Sequence, residues 1–442
     1  MTKTTTSDTN ANLQVRVVLL QDQKGRIQYV LPVNHLLDLE TLHQQSGRKL
    51  MPMQPAEIVN ATNRQLLKHI DGAPGFFLLP SIFEMSVSLS DTCFVEIFTV
   101  EGTELQAIDV EALKQLLLDE EFRVQALSCC LAPEQYLPPT LDFEDDMDRV
   151  KNSLQNFTRK RIRQRLDETL EIPTLPRTAE RIIKLRANPD ASVSELTDIV
   201  EDDASLAAQV VSWASSPYYA APGKIRSVQD AIVRVLGFEV VSNLAVGLAL
   251  GKSLSLPGDT VAGITPYWLQ SVYCSTAVEA ISRQMSSRHR PSHGLVYLAG
   301  LLHNFGYLVL AHTFPPHFSR ICRYVEANPA ISHVAIEHLL IGITREQIGA
   351  QLMKLWRMPE EVSIALRFQH EPDYDGEHSI YAHLIFIALR LLRQQGIGDA
   401  PLEPVPESLY WRYGLEEAPV IEAIQMVVES NEVRMIADCF PD

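Results

Sequence analysis

The sequence predicts a multidomain chain, a mixed α/β domain followed by an all-α domain, and three observations predict it. The chain has 442 residues, which at roughly 100–200 residues per domain accommodates about two to four domains. Up to residue 118, short runs rich in Val, Leu, Ile and Phe alternate with turn residues and brief helical stretches. From Ile172 onward the apolar residues recur at helical spacing and strand alternation disappears. The boundaries drawn on this basis are an α/β domain over 13–118, a linker and charged helix over 119–171, an all-α domain over 172–398 and a helical tail over 399–442.

The elements follow in order. "LQVRVVLLQD" and "KGRIQYVLPV" flank a turn at Gly25 and read as a hairpin. "LLDLETLHQQSG" has helical spacing and stops at Gly47. "FFLLPSIF", "MSVSLS" and "CFVEIFTVEGTELQAI" read as further strands, with turns at Ser90-Asp91 and Glu101-Gly102, and "DVEALKQLL" as a helix capped by Asp109. The prolines and acids of "LAPEQYLPPTLDFEDD" mark a linker. "DRVKNSLQNFTRKRIRQRLDETL" then crowds Arg159, Lys160, Arg161, Arg163 and Arg165 and reads as a solvated connecting helix. Beyond Ile172, "PRTAERIIKLRAN", "SVSELTDIVEDD", "ASLAAQVVSWASS", "SVQDAIVRVLGFEVVSNLAVGLAL", "WLQSVYCSTAVEAISRQM", "GLVYLAGLLHNFGYLVLAHTF", "FSRICRYVEAN", "TREQIGAQLMKLWRM", "PEEVSIALRFQHE" and "SIYAHLIFIALRLL" each carry one apolar helical face. Pro359 suits the first turn of its helix, with Glu360 and Glu361 behind it favouring the positive helix end.

Composition narrows the function classes. Hydrophobic residues make up 46% and charged residues 21%, so packed cores are expected. The net charge of -17 argues against a general binder of nucleic acid or anionic membrane, because phosphate contacts need clustered Lys and Arg. No CxxC pair occurs among the six cysteines, which argues against a zinc finger or a disulfide framework and for reduced thiols, and the adjacent Cys129-Cys130 reads as packing. The N-terminus lacks the apolar core of a secretory signal, and no uncharged apolar stretch of about 18 residues stands out. A cytoplasmic protein without membrane contact is the expectation. No Walker loop, nucleophile elbow or dinucleotide fingerprint occurs, and no cofactor is expected.

The helical part resembles the HDOD family, a degenerate offshoot of the HD-domain phosphohydrolases. The residues that carry this are "IPTLPRTAERIIKL", the stretch from "VSELTDIVEDD" to "IVRVLG", "GLLHNFG" and "IGAQLMKLWRMPEEVSIALRFQHEP". Within the second of these, Ile225–Gly237 resembles an I-S-x-x-x-A-I-x-x-L-G pattern, with Arg226 inserted before Ser227 and three residues instead of two between Ile232 and Leu236. The N-terminal part more loosely resembles the YbaK/ProX-type aminoacyl-tRNA deacylase domain, through "VLPVNHLLDLETLHQQSGRKLMPM", "DGAPGFFLLPSIFEMSVSLSD" and "VEGTELQAIDVEALKQLL".

The first resemblance implies a metal site and lets each ligand position be inspected. Divalent-metal hydrolysis needs neutral imidazoles and carboxylates converging on one point. Gln270 stands where a His is implied, and the implied His-Asp pair reads His303-Asn304. Asn offers a neutral carbonyl oxygen but no negative charge. Arg345 stands at the next His position, Gln369-His370 keeps half of a His pair, and Ile385 and Phe386 replace the last Asp. His383 is a remote further candidate. The set reads as silenced, with no metal and no catalytic residue, and His303 as a histidine of the core or pocket lining. The second resemblance implies a strand Lys and a Gly- and Pro-containing loop that holds an oxyanion. Arg16 stands at the Lys position and cannot accept a proton, and Gly75 and Pro80 mark a bulky version of the loop. His289 and His293 of "HRPSH" have metal-like spacing in a polar loop, and the loop Ser215–Ile225 carries the paired Tyr218-Tyr219.

The function expected from this reading is non-enzymatic. The chain would be a regulatory protein of bacterial signal transduction whose helical domain binds a protein partner. Two alternatives stay open: aminoacyl-tRNA deacylation by the N-terminal domain under HDOD control, with weak tRNA binding, and residual metal-dependent phosphodiesterase activity. Oligomeric state is left open.

Overall fold

The computed structural model describes residues 13–99, 102–137, 146, 148–150, 152, 176–186, 188, 190–215, 223–251, 254, 260–261, 264–431 and 433–434. Glu101, the basic run 159–165, the Tyr218-Tyr219 pair and Cys439 lie outside them. The chain forms two compact units, one of Met1–Pro138, Val261–Gly263 and Arg320–Leu339, the other of Pro139–Thr260, Ile264–Ser319 and Leu340–Asp442.

The first unit is α/β. Its strands are β1 (Gln14–Asp22), β2 (Gly25–Pro32), β3 (Leu36–Leu37), β4 (Met51–Pro52), β5 (His69–Ile70), β6 (Ala73–Phe77), β7 (Ser81–Glu84), β8 (Thr92–Thr99), β9 (Gly102–Asp109), β10 (Val124–Leu127) and β11 (Cys130–Leu131). A seven-stranded sheet runs in the order β10-β7-β2-β1-β8-β9, with β4 also paired to β1. The pairs β1–β2 and β8–β9 are antiparallel, while β1–β8, β2–β7 and β7–β10 are parallel. Strand side chains alternate between faces, so Val15 and Val30 join one core with Phe83, Val95 and Leu113. Val18, Leu20, Tyr29 and Leu31 join the other with Leu42 and Ala327. Asp38 and Asp109 cap the helices Leu39–Ser46 and Val110–Asp119, each through its side chain.

Three features differ from the sequence expectation. "MSVSLS" forms the single helical turn Met85–Ser88, not a strand. An extended chain would bury alternate residues, but only Val87 is buried while Met85 and Leu89 are exposed. The helix Pro55–Asn63 and the strands β10 and β11 were not foreseen. Residues 320–339, from the middle of the helical sequence, cluster with this unit. Asn328 holds them there. Its Oδ1 accepts from the Leu37 amide (2.7 Å) and its Nδ2 donates to Leu37 O (3.2 Å) and Tyr324 O (2.9 Å). The side-chain amide thus acts as an extra backbone partner for β3.

The second unit is helical. Side-chain caps start several helices: Ser192 before Val193–Glu201, Asp203 before Ala204–Ala214, Ser227 before Val228–Ala231 and Thr344 before Arg345–Leu355. Pro359 sits one residue before its helix, Glu360–Phe368, with both glutamates in the first turn. The segment expected as one helix through "GLLHNFG" is two, His293–Leu302 and Phe305–Thr313, broken at His303-Asn304. Among the described residues, two helical stretches, Val228–Leu250 and His293–Thr313, are long and apolar enough to cross a membrane, but 67% and 89% of their apolar windows are buried inside the fold. Both are core helices by that measure.

Candidate functional site

The break at His303-Asn304 is held by two glycines that the sequence places at either end of the motif. A Cβ on Gly300 would lie 2.7 Å from Ser275 Cα, and one on Gly306 1.8 Å from Arg345 O. The first lets the helix Tyr267–Gln284 approach. The second sets the start of Arg345–Leu355 directly against the motif.

His303 is buried, and its Nδ1 lies 2.8 Å from Gly300 O. A carbonyl only accepts, so Nδ1 carries the proton. Burial pushes the imidazole down to about 4, which keeps it neutral at neutral pH. Asn304 Oδ1 faces Arg345 Nη1 at 3.4 Å, and the same Nη1 donates to Asp399 Oδ2 at 2.6 Å. The Arg345 guanidinium also lies over the Tyr307 ring, 4.7 Å from its centroid. Gln369 is turned to the backbone, with Nε2 donating to His303 O (2.8 Å) and Leu366 O (2.9 Å).

His370 belongs to a second set. Arg390 Nη1 lies 3.0 Å from His370 Nδ1, so that nitrogen accepts, because a guanidinium only donates. His370 Nε2 then faces Glu346 Oε1 at 3.5 Å. Arg390 is buried, lies over Phe386 at 4.1 Å and reaches Glu403 at 3.3 Å. Gln270 donates to Thr265 O at 2.6 Å, and Thr265 Oγ1 accepts from the amide of Gly398, the neighbour of Asp399. His383 pairs with Tyr413 Oη at 2.6 Å, and burial pushes it down to about 4 as well. Contacts therefore join His303, Asn304, Arg345 and Gln369 directly. Gln270 is linked to them through residues 398–399, and His370 through Glu346. Sequence reasoning missed Glu346, Arg390, Asp399 and Glu403. Acids in a polar loop carry no periodic signal, although Glu346 is the immediate neighbour of Arg345.

The remaining candidates fall elsewhere. His293 Nε2 binds Glu279 at 2.6 Å, while His289 Nδ1 faces Ser286 Oγ at 3.1 Å. Arg16 lies on the face of Val18 and Leu20, where it donates to Ala327 O (2.9 Å), His35 O (3.1 Å) and Asn328 Oδ1 (2.8 Å). Burial lowers it to about 10. Gly75 sits beside Val95, in the core on the opposite face, and Pro80 O accepts from the Gln28 amide. The structure does not bring Arg16 and Gly75 together. Cys129 and Cys130 are both raised by burial, Cys129 to about 11, which fits packing rather than thiolate chemistry.

Residues 172–372 match the HDOD domain. The chain belongs to the HDOD family. It is 39% identical to a "Putative signal transduction protein" from Marinobacter aquaeolei VT8, whose crystal structure it matches with a TM-score of 0.83 over 98% of this chain and 94% of that one. The HDOD fold recurs in a protein of unknown function from Geobacter sulfurreducens, at 22% identity and a TM-score of 0.51, over 66% of this chain and 99% of that one. An uncharacterized protein of Treponema pallidum is 22% identical over 279 residues, 63% of this chain. The chain spans about half (53%) of the length of that curated relative.

Proposed function

We propose that this HDOD protein is a non-catalytic regulatory component of bacterial signal transduction, whose helical domain acts as a binding module for a protein partner. The observation that carries the reading is Arg345. A metal hydrolase needs an electron-pair donor at that position, and here a buried guanidinium stands there with Asp399 as its counter-charge. The two glutamine positions fit a divalent ion poorly, because Gln369 and Gln270 are turned to backbone carbonyls, and His370 Nδ1 accepts from Arg390. His303 Nδ1 donates to Gly300 O, so of that ring only Nε2 carries an electron pair. A permanent cation in place of an exchangeable one favours a fixed scaffold over Lewis-acid chemistry. The likeness to the Marinobacter protein supports the signalling context.

The test uses the purified full chain. Its bound manganese, iron and zinc are quantified, and hydrolysis of bis-p-nitrophenyl phosphate is followed with and without added manganese. Neither retained metal nor hydrolysis above buffer is expected. Stoichiometric metal with metal-dependent turnover would overturn the reading. Affinity isolation from the native lysate on the same chain, with RNA quantified alongside protein, is expected to retain a specific protein; enriched tRNA instead would move the function to translation.

A further inference from the structure

A third buried arginine of the helical unit is neutralised by a residue that lies outside the HDOD match. Arg367 Nε donates to Asp146 Oδ2, and Gln347 Nε2 donates to Asp146 Oδ1 at 2.5 Å. Arg367 and Gln347 lie within the matched 172–372, and Asp146 lies ahead of it. Asp146 is fully buried and Arg367 nearly so.

The receiving groups are oriented by contacts of their own. Gln347 Oε1 accepts from the Thr344 amide at 3.0 Å, which fixes the amide and aims its NH₂ at the carboxylate. Arg367 Nη1 is held by Glu371 at 2.8 Å, and its guanidinium lies over Phe368 at 4.9 Å. Phe368 in turn stacks on Tyr374 at 3.8 Å. Both carboxylate oxygens are therefore met by donors positioned in advance, the geometry by which an acidic side chain is read. Asp146 and Val150 are four residues apart, helical and buried, whereas Asp148 between them is exposed. An acid and an aliphatic residue one helical turn apart are therefore both buried.

We propose that Arg367 and Gln347 form a carboxylate-reading interaction site, filled in cis by Asp146, whose partner in trans is a protein helix presenting an acid and, one turn later, an aliphatic residue. Such a helix competes with the chain's own segment for one site, so binding and release of residues 146–150 are coupled. The partner rests on the binding-module reading above, but the site does not, and the following measurement is independent of metal content and hydrolysis.

A fluorescent peptide with the sequence of residues 141–155 is titrated against the full chain and against its Asp146→Ala variant. The variant is expected to bind the peptide at least about tenfold more tightly than the parent, since the tethered competitor acts at an effective concentration on the order of 1 mM. An Asp146→Asn version of the peptide is expected to lose at least about tenfold, and adding Arg367→Gln to the variant to abolish binding. Equal binding by parent and variant, no dependence on the peptide's carboxylate, or no binding up to about 1 mM would overturn the proposal. If Asp146→Ala does not fold, amide exchange of residues 148–150 is measured in the parent chain with excess peptide. The Asp peptide must speed that exchange more than the Asn peptide, and no difference between them overturns the proposal.

Discussion

Arg345 donates to Asp399 at 2.6 Å, with 4% of the arginine and 15% of the aspartate side chain exposed. Removing one partner of such a pair leaves the other charge desolvated without its counter-charge, which typically costs about 3–5 kcal/mol. Arg345→Met is therefore expected to destabilise the chain by about 3 kcal/mol in urea unfolding. Asp399→Asn should cost less, and the double variant should cost less than the sum of the two. Strict additivity would mean that the ion pair does not couple the 399 segment to the motif.

Gly306 tests the architecture of the motif rather than its charge. Its absent Cβ would sit 1.8 Å from Arg345 O, a backbone atom that cannot swing aside. Gly306→Ala should separate two helices, cost about 3 kcal/mol or more and sharply lower soluble yield. Gly47→Ala provides the comparison, because nothing lies within 4 Å of that position and only its φ of +64° is unfavourable. About 1 kcal/mol is expected there. Comparable losses at both sites would refute the close-packing argument.

Asn328 gives a local prediction for the α/β unit. Its amide serves Leu37 N, Leu37 O, Tyr324 O and Arg16. Asn328→Ala strips buried donors and acceptors of their partners at about 1–3 kcal/mol for each such group, partly offset by relaxation. Hydrogen exchange should rise first at Leu36 and Leu37, with the helix Tyr267–Gln284 unaffected. A uniform rise across both units would show that Asn328 has no local role.

These cases also separate what the sequence discloses from what it hides. The hairpin at Gly25, the Asp109 cap and the helical character after Ile172 are local, and periodicity reports them. So is the "GLLHNFG" motif, although its apolar letters run through the break at His303-Asn304 and suggested one helix. Asn328 and Leu37 are 291 positions apart, and nothing in the spacing of polar residues marks such a contact. Asp146, Asp399 and Glu403 look like ordinary surface acids because their partners, buried arginines, are visible only once the helices pack.

The buried imidazole of His303 makes stability depend on pH in a stated direction. In the unfolded chain it titrates near 6.5, and in the folded chain burial lowers it to about 4. Between those values the unfolded state holds more protons, so the contribution is complete above pH 6.5 and is lost as the pH falls toward 4. By pH 5 the loss is about 2 kcal/mol. His383 shifts the same way, which deepens the fall in the parent protein. His303→Gln removes one of the two groups, so its urea midpoint should drop less than the parent's between pH 7 and pH 5. Parallel slopes in parent and variant would mean that folding does not lower the His303 imidazole, and would remove burial of this ring from the account of the acid side of stability.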